Sequence, residues 1–455
     1  MTEPLYPKLL WEVDSDELGE MGESWSRPQL GRVRVSDNSY KAVIFVGAGY
    51  DNNEDLRFGD TQTFPDAEGV DINLAGTGGE VDGSGDPQAS AGELSADDRF
   101  APRGRGILAI EVATMSRTSS TAPYTAQLTN EPQILWSYTF ENNDQIKYPI
   151  AGDIKVIDLN GDRFSDVIYL GDTGGNLWKF DITDPDKNQW GGQILFKSNP
   201  GDDSTNGRKV FYAPEVVYTN GGAYIYFGTG DREHPFNRDV IDRMYCVIDW
   251  GDKGTYPVTE SALYDATLNL LQNPTTTQEE VDAIREVMTS TPINPYMENE
   301  IEKFTYGWFV KLDGTDRTGD VNILDRGEKV VASPRVISGK VYFDTYQMST
   351  DERTGCEAGN MGIARRYIMD YLSAEAAGNY SIADGEAPSR STVTGPGMSP
   401  GVTIIVDKEG NRYIVNAPSI DRPPQSEDDE NPEEESTEQV GEGGKKTYPI
   451  YWMQW

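Results

Sequence analysis

One nine-residue segment carries side chains whose types and spacing could bind a metal ion. From Asp158 to Asp166 (DLNGDRFSD), oxygen-bearing side chains stand at positions 1, 3, 5 and 9 of the segment. Calcium takes roughly six to eight oxygen ligands at about 2.3–2.6 Å, so a short turn with this spacing supplies most of its coordination shell. The predicted ligands are the side chains of Asp158, Asn160, Asp162 and Asp166 and the backbone carbonyl of Phe164.

The charge and backbone of this segment also suit calcium. Three carboxylates offset the charge of a divalent cation, and Gly161 allows a sharp turn. An EF-hand would need glycine at position 6 and an acid at position 12, where this chain has Arg163 and Tyr169. The segment is therefore not an EF-hand. Magnesium is a weaker candidate because it binds fewer protein ligands, and a turn rich in Asp and Asn that binds no metal is the alternative.

Two other acidic stretches have part of the same spacing. Residues 51–55 (DNNED) match positions 1, 3 and 5, but glycine stands at position 9. The set of Asp184, Asp186 and Asn188 lacks a fourth ligand. We expect both stretches to be polar loops.

The composition of the chain excludes several other kinds of site. Acidic residues outnumber basic ones, 76 against 39, and the formal net charge is −37. A nucleic-acid partner is not expected, because phosphate binding needs clustered Lys and Arg. One histidine, His234, and two cysteines, Cys246 and Cys356, are too few for multi-histidine zinc sites or cysteine clusters. Any bound metal should therefore have oxygen ligands.

The same composition gives no sign of membrane insertion. The sequence contains no apolar run of about 18 residues, so we predict no transmembrane segment. No signal peptide is visible at its start.

Short runs of β-branched and aromatic residues with a period of two indicate where strands lie. Most of them have about five to seven residues, the usual strand length. The predicted strands are Lys41–Gly47, Gly106–Val112, Val167–Leu170, Asn176–Asp181, Glu215–Tyr218, Ala223–Gly228, Arg243–Asp249, Trp308–Leu312, Lys340–Thr345, Arg366–Tyr371, Thr403–Asp407 and Asn411–Asn416.

Several of these runs repeat as a unit of two strands joined by a loop. The equivalent positions Phe45, Tyr169, Phe227, Phe343 and Ile405 are separated by one or two multiples of about 60 residues. Such spacing is typical of the blades of a propeller. We therefore predict an all-β fold in which residues 1–455 form a single β-propeller domain, with unrelated hairpins in two β-sandwiches as the alternative.

Three segments interrupt the repeats. Residues 51–103 are acidic and rich in glycine, and indicate a long solvated insertion. Residues 261–290 have helical spacing at Ala262–Leu271 and Thr277–Met288, and predict a helical hairpin whose second helix begins at an N-cap threonine. Residues 422–446 indicate an acidic low-complexity loop.

The candidate metal-binding segment and the residues after it resemble a known family. The segment continues into Tyr169–Asp181 (YLGDTGGNLWKFD). Supporting segments are PKLLWE from Pro7, SWSRP from Ser24, APEV from Ala213, YFGTG from Tyr226 and YWMQW from Tyr451. Together they resemble, from end to end, the C-terminal domain of the PilY-type pilus-tip proteins of type IV pili, called PilC-type in Neisseria-like systems.

The resemblance implies a modified, seven-bladed β-propeller similar to the quinoprotein propellers. It implies one Ca²⁺ in an exposed loop, at positions matched here by Asp158, Asn160, Asp162, Phe164 and Asp166. It also implies a non-enzymatic protein at the pilus tip or outer cell surface, exported through the periplasm, that promotes pilus assembly, controls retraction and supports adhesion in twitching bacteria. The implied partners are minor pilins and a host or abiotic surface.

A propeller enzyme of the quinoprotein dehydrogenase kind is the alternative function. Many such enzymes hold the quinone against a disulfide of adjacent cysteines, whereas Cys246 and Cys356 lie 110 residues apart. These two cysteines either form a disulfide or remain separate thiols. A Ser-His-Asp site would need His234, which lies in a turn-like segment without a GxSxG motif. No spacing among the acids singles out a glycosidase pair.

Overall fold

The structure, a computed structural model, describes residues 20–23, 25–51, 103–200, 207–289, 306–314, 327–348, 362–378, 388–406, 412–415 and 437–441. Strands account for most of its regular structure. Contacts divide the chain into two compact units, one of residues 1–194 and 202–204 and the other of residues 195–201 and 205–455. The all-β class expected from the sequence is confirmed.

The first unit contains two sheets in its described residues. One sheet is a meander in which each strand pairs antiparallel with the next along the chain, in the order β1-β2-β3-β4. The other has the order β5-β6-β7-β8. Its strands are β1 Gln29–Ser36, β2 Ser39–Gly47, β3 Gly106–Ser116, β4 Thr125–Thr139, β5 Lys155–Ile157, β6 Val167–Gly171, β7 Asn176–Asp181 and β8 Gly191–Lys197, whose last three residues belong to the second unit.

Apolar side chains that alternate along these strands form the core of the first unit. Phe45 of β2, Ile168 and Leu170 of β6 and Trp178 and Phe180 of β7 are all fully buried in one cluster. Their period of two places them on one face of each strand, which is why the sequence pattern identified these strands.

The second unit has three groups of strands. Their orders are β13-β14-β11-β10-β9, β15-β17-β18-β19 with β16 also on β17, and β20-β21-β22, while β12 pairs in parallel with the end of β8. The strands are β9 Glu215–Thr219, β10 Gly222–Gly228, β11 Arg243–Asp249, β12 Val258–Thr259, β13 Tyr264–Asp265, β14 Gly307–Lys311, β15 Lys329–Val330, β16 Arg335–Ile337, β17 Lys340–Gln347, β18 Ile363–Asp370, β19 Ser391–Pro396, β20 Thr403–Val406, β21 Arg412–Val415 and β22 Thr437–Gly441.

The core of the second unit contains tightly packed aromatic residues. Tyr226, Trp308, Phe343 and Tyr367 are buried in one cluster. The rings of Phe343 and Tyr367 stack with centroids 4.6 Å apart. Cys246 lies in the same cluster, and its position in β11 leaves the thiol without access to solvent.

Each predicted two-strand repeat is an antiparallel pair. The pairs are β2 with β3, β6 with β7, β10 with β11, β17 with β18 and β20 with β21. Sequential antiparallel strands of this kind are the topology of a propeller blade. The blade number and the assignment of residues 1–455 to a single domain stay predictions.

The predicted helical hairpin is half correct. Its second helix exists as α1, Gln278–Thr289, and Thr277 caps it, because the hydroxyl of Thr277 accepts from the Glu280 N–H at 3.3 Å while the Glu280 carboxylate accepts from the Thr277 N–H at 2.8 Å. The predicted helix at Ala262–Leu271 was wrong. There the chain forms β13, which pairs in parallel with β14, and the Asp265 carboxylate binds the Thr267 N–H in a local turn.

The two predicted acidic loops fall largely outside the described residues. Residues 52–102 of the first insertion lie outside them. In the stretch 422–446, which we expected to be a loop throughout, residues 437–441 form β22 and pair with β21, and the rest lies outside the described residues. Among the helices of the described residues, none is long and apolar enough to cross a membrane.

Candidate metal site

The predicted metal-binding segment is the loop that joins β5 to β6. These two strands pair antiparallel, with Ile157 opposite Val167, so the loop begins and ends at neighbouring points of the sheet. The N–H of Asp166 donates to the carbonyl of Ile157 at 2.8 Å and closes the loop. All five predicted ligands, Asp158, Asn160, Asp162, Phe164 and Asp166, are therefore held within one short closed turn.

Asp158, at the start of the loop, organises its backbone. Its Oδ1 accepts from the N–H groups of Gly161 at 2.7 Å and Asp162 at 3.2 Å, and its Oδ2 accepts from the N–H of Arg163 at 2.6 Å. Gly161 and Arg163 both have left-handed backbone angles, with φ of 77° and 74°. Glycine adopts this conformation without strain, whereas arginine does so at a cost of about 1–2 kcal/mol.

The other predicted side chains also accept from backbone N–H groups. Asn160 Oδ1 accepts from the Asp162 N–H at 2.8 Å, and Asp162 Oδ1 accepts from the Phe164 N–H at 2.9 Å. Asp166 Oδ2 accepts from the Leu159 N–H at 2.8 Å and so ties the end of the loop to its beginning. Each carboxylate has several lone pairs, so these bonds leave acceptor capacity on the loop.

The loop concentrates negative charge. Asp158 and Asp166 are nearly buried, at 4% and 6% exposure. Burial raises the pKa of Asp166 above its ordinary value; the N–H of Leu159 opposes this rise, and the charges of Asp158 and Asp162 add to it. A bound cation would relieve this repulsion.

The arrangement of these oxygens fits calcium by donor type but is not a closed metal cage. Among the described residues, no three or more Asp, Glu, His or Cys side chains lie close enough to one another to hold a metal ion. In the loop, the carboxylates face backbone N–H groups instead. Three carboxylates, one amide oxygen and one carbonyl are nevertheless the hard oxygen donors that calcium takes. Calcium at this loop stays a prediction.

One residue that the sequence did not indicate lies directly against the loop. The Nη2 of Arg34, on β1, is 2.8 Å from Asp162 Oδ2. Its guanidinium carbon is 4.2 Å from the centroid of the Phe164 ring, and Tyr40 packs edge-on against the same ring. Arg34 and Asp162 are 128 residues apart and belong to different sheets, so tertiary packing brings them together.

The last part of the loop is also attached to β1. The N–H of Ser165 donates to the Arg32 carbonyl at 2.8 Å, and the Arg32 N–H donates to the Ser165 hydroxyl at 3.4 Å. Gly31 permits this approach, since a Cβ there would lie 2.7 Å from Ser165 Oγ.

At the far end of β6, a second acidic turn holds the fully buried Asp172. This carboxylate accepts from the Asn176 N–H at 2.9 Å, from Asn176 Nδ2 at 2.9 Å and from Trp178 Nε1 at 2.8 Å. Burial raises the pKa of Asp172 to about 6, against the lowering effect of these donors. The turn contains Gly174, where a Cβ would lie 2.3 Å from the Tyr148 ring.

The remaining candidates that fall within the described residues do not form a second metal site. Asp186 Oδ1 accepts from Asn188, which makes a local turn as expected. His234 lies in a loop with its Nδ1 3.2 Å from Asp231 Oδ2. Cys246 is a free, buried thiol, and burial raises its pKa. Cys356 and residues 52–55 lie outside the described residues.

Known proteins similar to this chain include pilus proteins. No family model matches the sequence. The type IV pilus biogenesis factor PilY1 homolog of Xylella fastidiosa is 26% identical over 273 residues, which cover 55% of this chain and 16% of that protein. The chain thus corresponds to a small part of this relative's length.

Matches among solved structures have lower sequence identity. The C-terminal domain of Pseudomonas aeruginosa PilY1 is 16% identical, with a TM-score of 0.48, over 90% of this chain and 74% of that domain. The NanB sialidase of Streptococcus pneumoniae and the quinohemoprotein alcohol dehydrogenase of Comamonas testosteroni both have a TM-score of 0.28, at 10% and 8% identity; each covers 90% of this chain and 55% of the other.

The resemblance of this chain to PilY-type type IV pilus proteins is confirmed.

Proposed function

We propose that this chain is a calcium-binding domain of a type IV pilus biogenesis factor. It acts outside the cell, at the pilus tip or outer surface, where it promotes pilus assembly, controls retraction and supports adhesion to host or abiotic surfaces. Minor pilins are its expected partners. The observation that carries the proposal is the 26% identity over 273 residues to a protein named as such a factor.

Calcium enters the proposal through the β5–β6 loop. Asp158, Asn160, Asp162 and Asp166 would supply side-chain oxygens, and Phe164 would supply its carbonyl. When bound, the ion would provide positive charge among three carboxylates that otherwise repel one another, of which Asp158 and Asp166 are almost fully buried. The loop would then be fixed against β1 and β6, and could present a stable surface to a pilin.

Calorimetric titration with calcium tests the metal site directly. Asp166→Ala should lower calcium affinity at least about tenfold, because it removes a charged ligand from the end of the loop. The matched control is Asp181→Ala, at an exposed aspartate that ends β7 and whose carboxylate accepts from the N–H and hydroxyl of Thr183 within its own turn. Calcium affinity that is unchanged in Asp166→Ala would show that the ion binds elsewhere.

The pilus role is tested in a piliated bacterium whose own copy of the gene carries the change. Cells with Asp158→Ala and Asp162→Ala together should assemble pili but lose calcium-dependent control of retraction. Normal retraction combined with lost surface attachment would assign the loop to adhesion instead. Normal retraction and attachment would contradict the proposed role of the loop.

The proposal gives the chain no catalytic role. This part of the proposal would be contradicted if the purified chain, loaded with calcium and a quinone cofactor, reduced an artificial electron acceptor in the presence of an alcohol. The comparison protein in this assay is a known quinoprotein dehydrogenase.

A further inference from the structure

Among the predicted calcium ligands, Asp162 forms an ion pair with the side chain of Arg34. Its Oδ1 accepts from the Phe164 N–H, so Oδ2 is the oxygen that remains for a metal ion. The Arg34 guanidinium lies 2.8 Å from that same Oδ2. A calcium ion that used this oxygen would have to share it with the guanidinium or displace it.

Arg34 also has a second contact that does not depend on Asp162. Its guanidinium lies over the Phe164 ring, with 4.2 Å from the guanidinium carbon to the ring centroid. This cation–π contact does not involve the carboxylate. Both side chains of the ion pair are about one-third exposed, so the pair is of the weak kind that can exchange readily with a solvated ion.

We propose that Arg34 is a built-in competitor of calcium that sets the affinity of the loop. Without calcium, its charge occupies Asp162 and partly compensates the three carboxylates. With calcium, Asp162 turns to the ion and Arg34 stays on Phe164. The inference rests on the proposed calcium site and adds to it a residue that determines how much calcium is needed to fill it.

The chain offers a matched control on the same strand. Arg32 is two residues from Arg34 on β1, so its side chain projects from the same face of the sheet. Its guanidinium carbon is 5.7 Å from the centroid of the Tyr40 ring. Arg32→Gln removes the same charge from the same neighbourhood but leaves the Arg34–Asp162 pair in place.

The experiment is calcium titration of the full chain by calorimetry, for wild type, Arg34→Gln, Arg34→Lys and Arg32→Gln. Arg34→Gln should bind calcium about two- to fivefold more tightly, the range expected for release of an exposed ion pair. Arg34→Lys keeps the charge and should stay close to wild type. Arg32→Gln should change the affinity less than Arg34→Gln does.

A second measurement separates competition from a general structural effect. Thermal unfolding of Arg34→Gln should begin at a lower temperature than wild type in chelator, because the carboxylates then lack their counter-charge. In saturating calcium the difference between the two midpoints should be smaller, because only the contact of Arg34 with the Phe164 ring is then lost. A variant that is equally destabilised in both conditions would overturn the proposal.

The outcomes also separate this inference from the proposed function. If wild type binds calcium and Arg34→Gln binds it with the same affinity, the competitor role is overturned and the calcium site stands. The same holds if Arg32→Gln gains as much calcium affinity as Arg34→Gln does. Absence of calcium binding in wild type and in all variants would overturn both.

Discussion

Strand β6 has an acidic turn at each end, and the two turns use their carboxylates in opposite ways. In the loop before β6, Asp158, Asp162 and Asp166 bind mainly backbone N–H groups, and Asp162 is 38% exposed in its side chain. In the turn after β6, the side chains of Asn176 and Trp178 donate to both oxygens of Asp172, which is fully buried.

The comparison shows what makes an acidic turn available to a cation. Backbone donors fix the shape of the first loop but leave oxygens that can turn to a metal ion. Side-chain donors saturate Asp172 and close the second turn to any ligand. The first turn is therefore suited to binding, while the second is suited to holding β6 and β7 together. The following predictions are ordered by the size of the expected effect.

Asp172→Ala should lower the free energy of unfolding by about 3 kcal/mol or more. The variant leaves the buried Trp178 Nε1 and Asn176 Nδ2 without their acceptor, and each unsatisfied donor costs about 1–3 kcal/mol. Denaturant unfolding in chelator measures the change. Asp162→Ala, in the open loop, should cost under about 1 kcal/mol under the same conditions. Equal losses in the two variants would remove the distinction between the turns.

The stability contributed by Asp172 should fall as the pH rises. Its pKa in the folded chain is raised from 3.8 to about 6, so the folded state holds the proton more tightly than the unfolded state does. The part of the stability that comes from this tighter proton binding is fully present below pH 3.8 and is lost as the pH rises to about 6, by about 3 kcal/mol in all. Between pH 3.5 and about 7, the stability of wild type relative to Asp172→Asn, which does not titrate at this position, should therefore fall as the pH rises. A pH-independent difference would contradict this.

Gly174→Ala should destabilise the closed turn by about 2 kcal/mol. A Cβ at this position would lie 2.3 Å from the Tyr148 ring, so the ring or the backbone must move. Thermal unfolding in chelator and in calcium should show the same loss, because the turn is closed to the ion. A loss that calcium reverses would place the turn in the metal site.

Gly161→Ala should have a smaller effect, about 1 kcal/mol. Its φ is 77°, but nothing lies within 4 Å of a Cβ there, so only backbone strain opposes the change. Because the strain falls on the candidate metal loop, calcium affinity should fall as well. Calorimetric titration measures the calcium affinity and thermal unfolding measures the stability. Weaker calcium binding in Gly161→Ala than in Gly174→Ala would support the distinction between the two turns.

Local sequence patterns were sufficient for the repeats and for the loop. Strands β6, β7 and β11 have alternating or continuous apolar residues that end at glycine or aspartate, and all were predicted within one residue of their bounds. The spacing of Asp158, Asn160, Asp162 and Asp166 placed the four side chains in one turn, as found.

The failures have physical causes that a local pattern does not contain. Strand β4 carries exposed Leu128 and Ile134 and was missed, because its register on β3 is irregular and breaks the alternation. At Ala262–Leu271 the apolar residues have helical spacing, but Leu263 and Ala266 are buried on either side of the short strand β13. The turn in which the Asp265 carboxylate accepts from the Thr267 N–H ends that strand. Arg34 reaches Asp162 only through tertiary packing, so no local signal could have identified it.

The attachment of the loop to β1 also determines how the loop would respond to mechanical load. Strand β1 pairs with β2 at seven positions, and Ser165 is bonded to it at Arg32. Tension along β1 would load these bonds in shear, so that they resist together and do not open one by one. Force that arrives through this edge of the sheet would therefore leave the loop folded until the whole β1–β2 ladder yields.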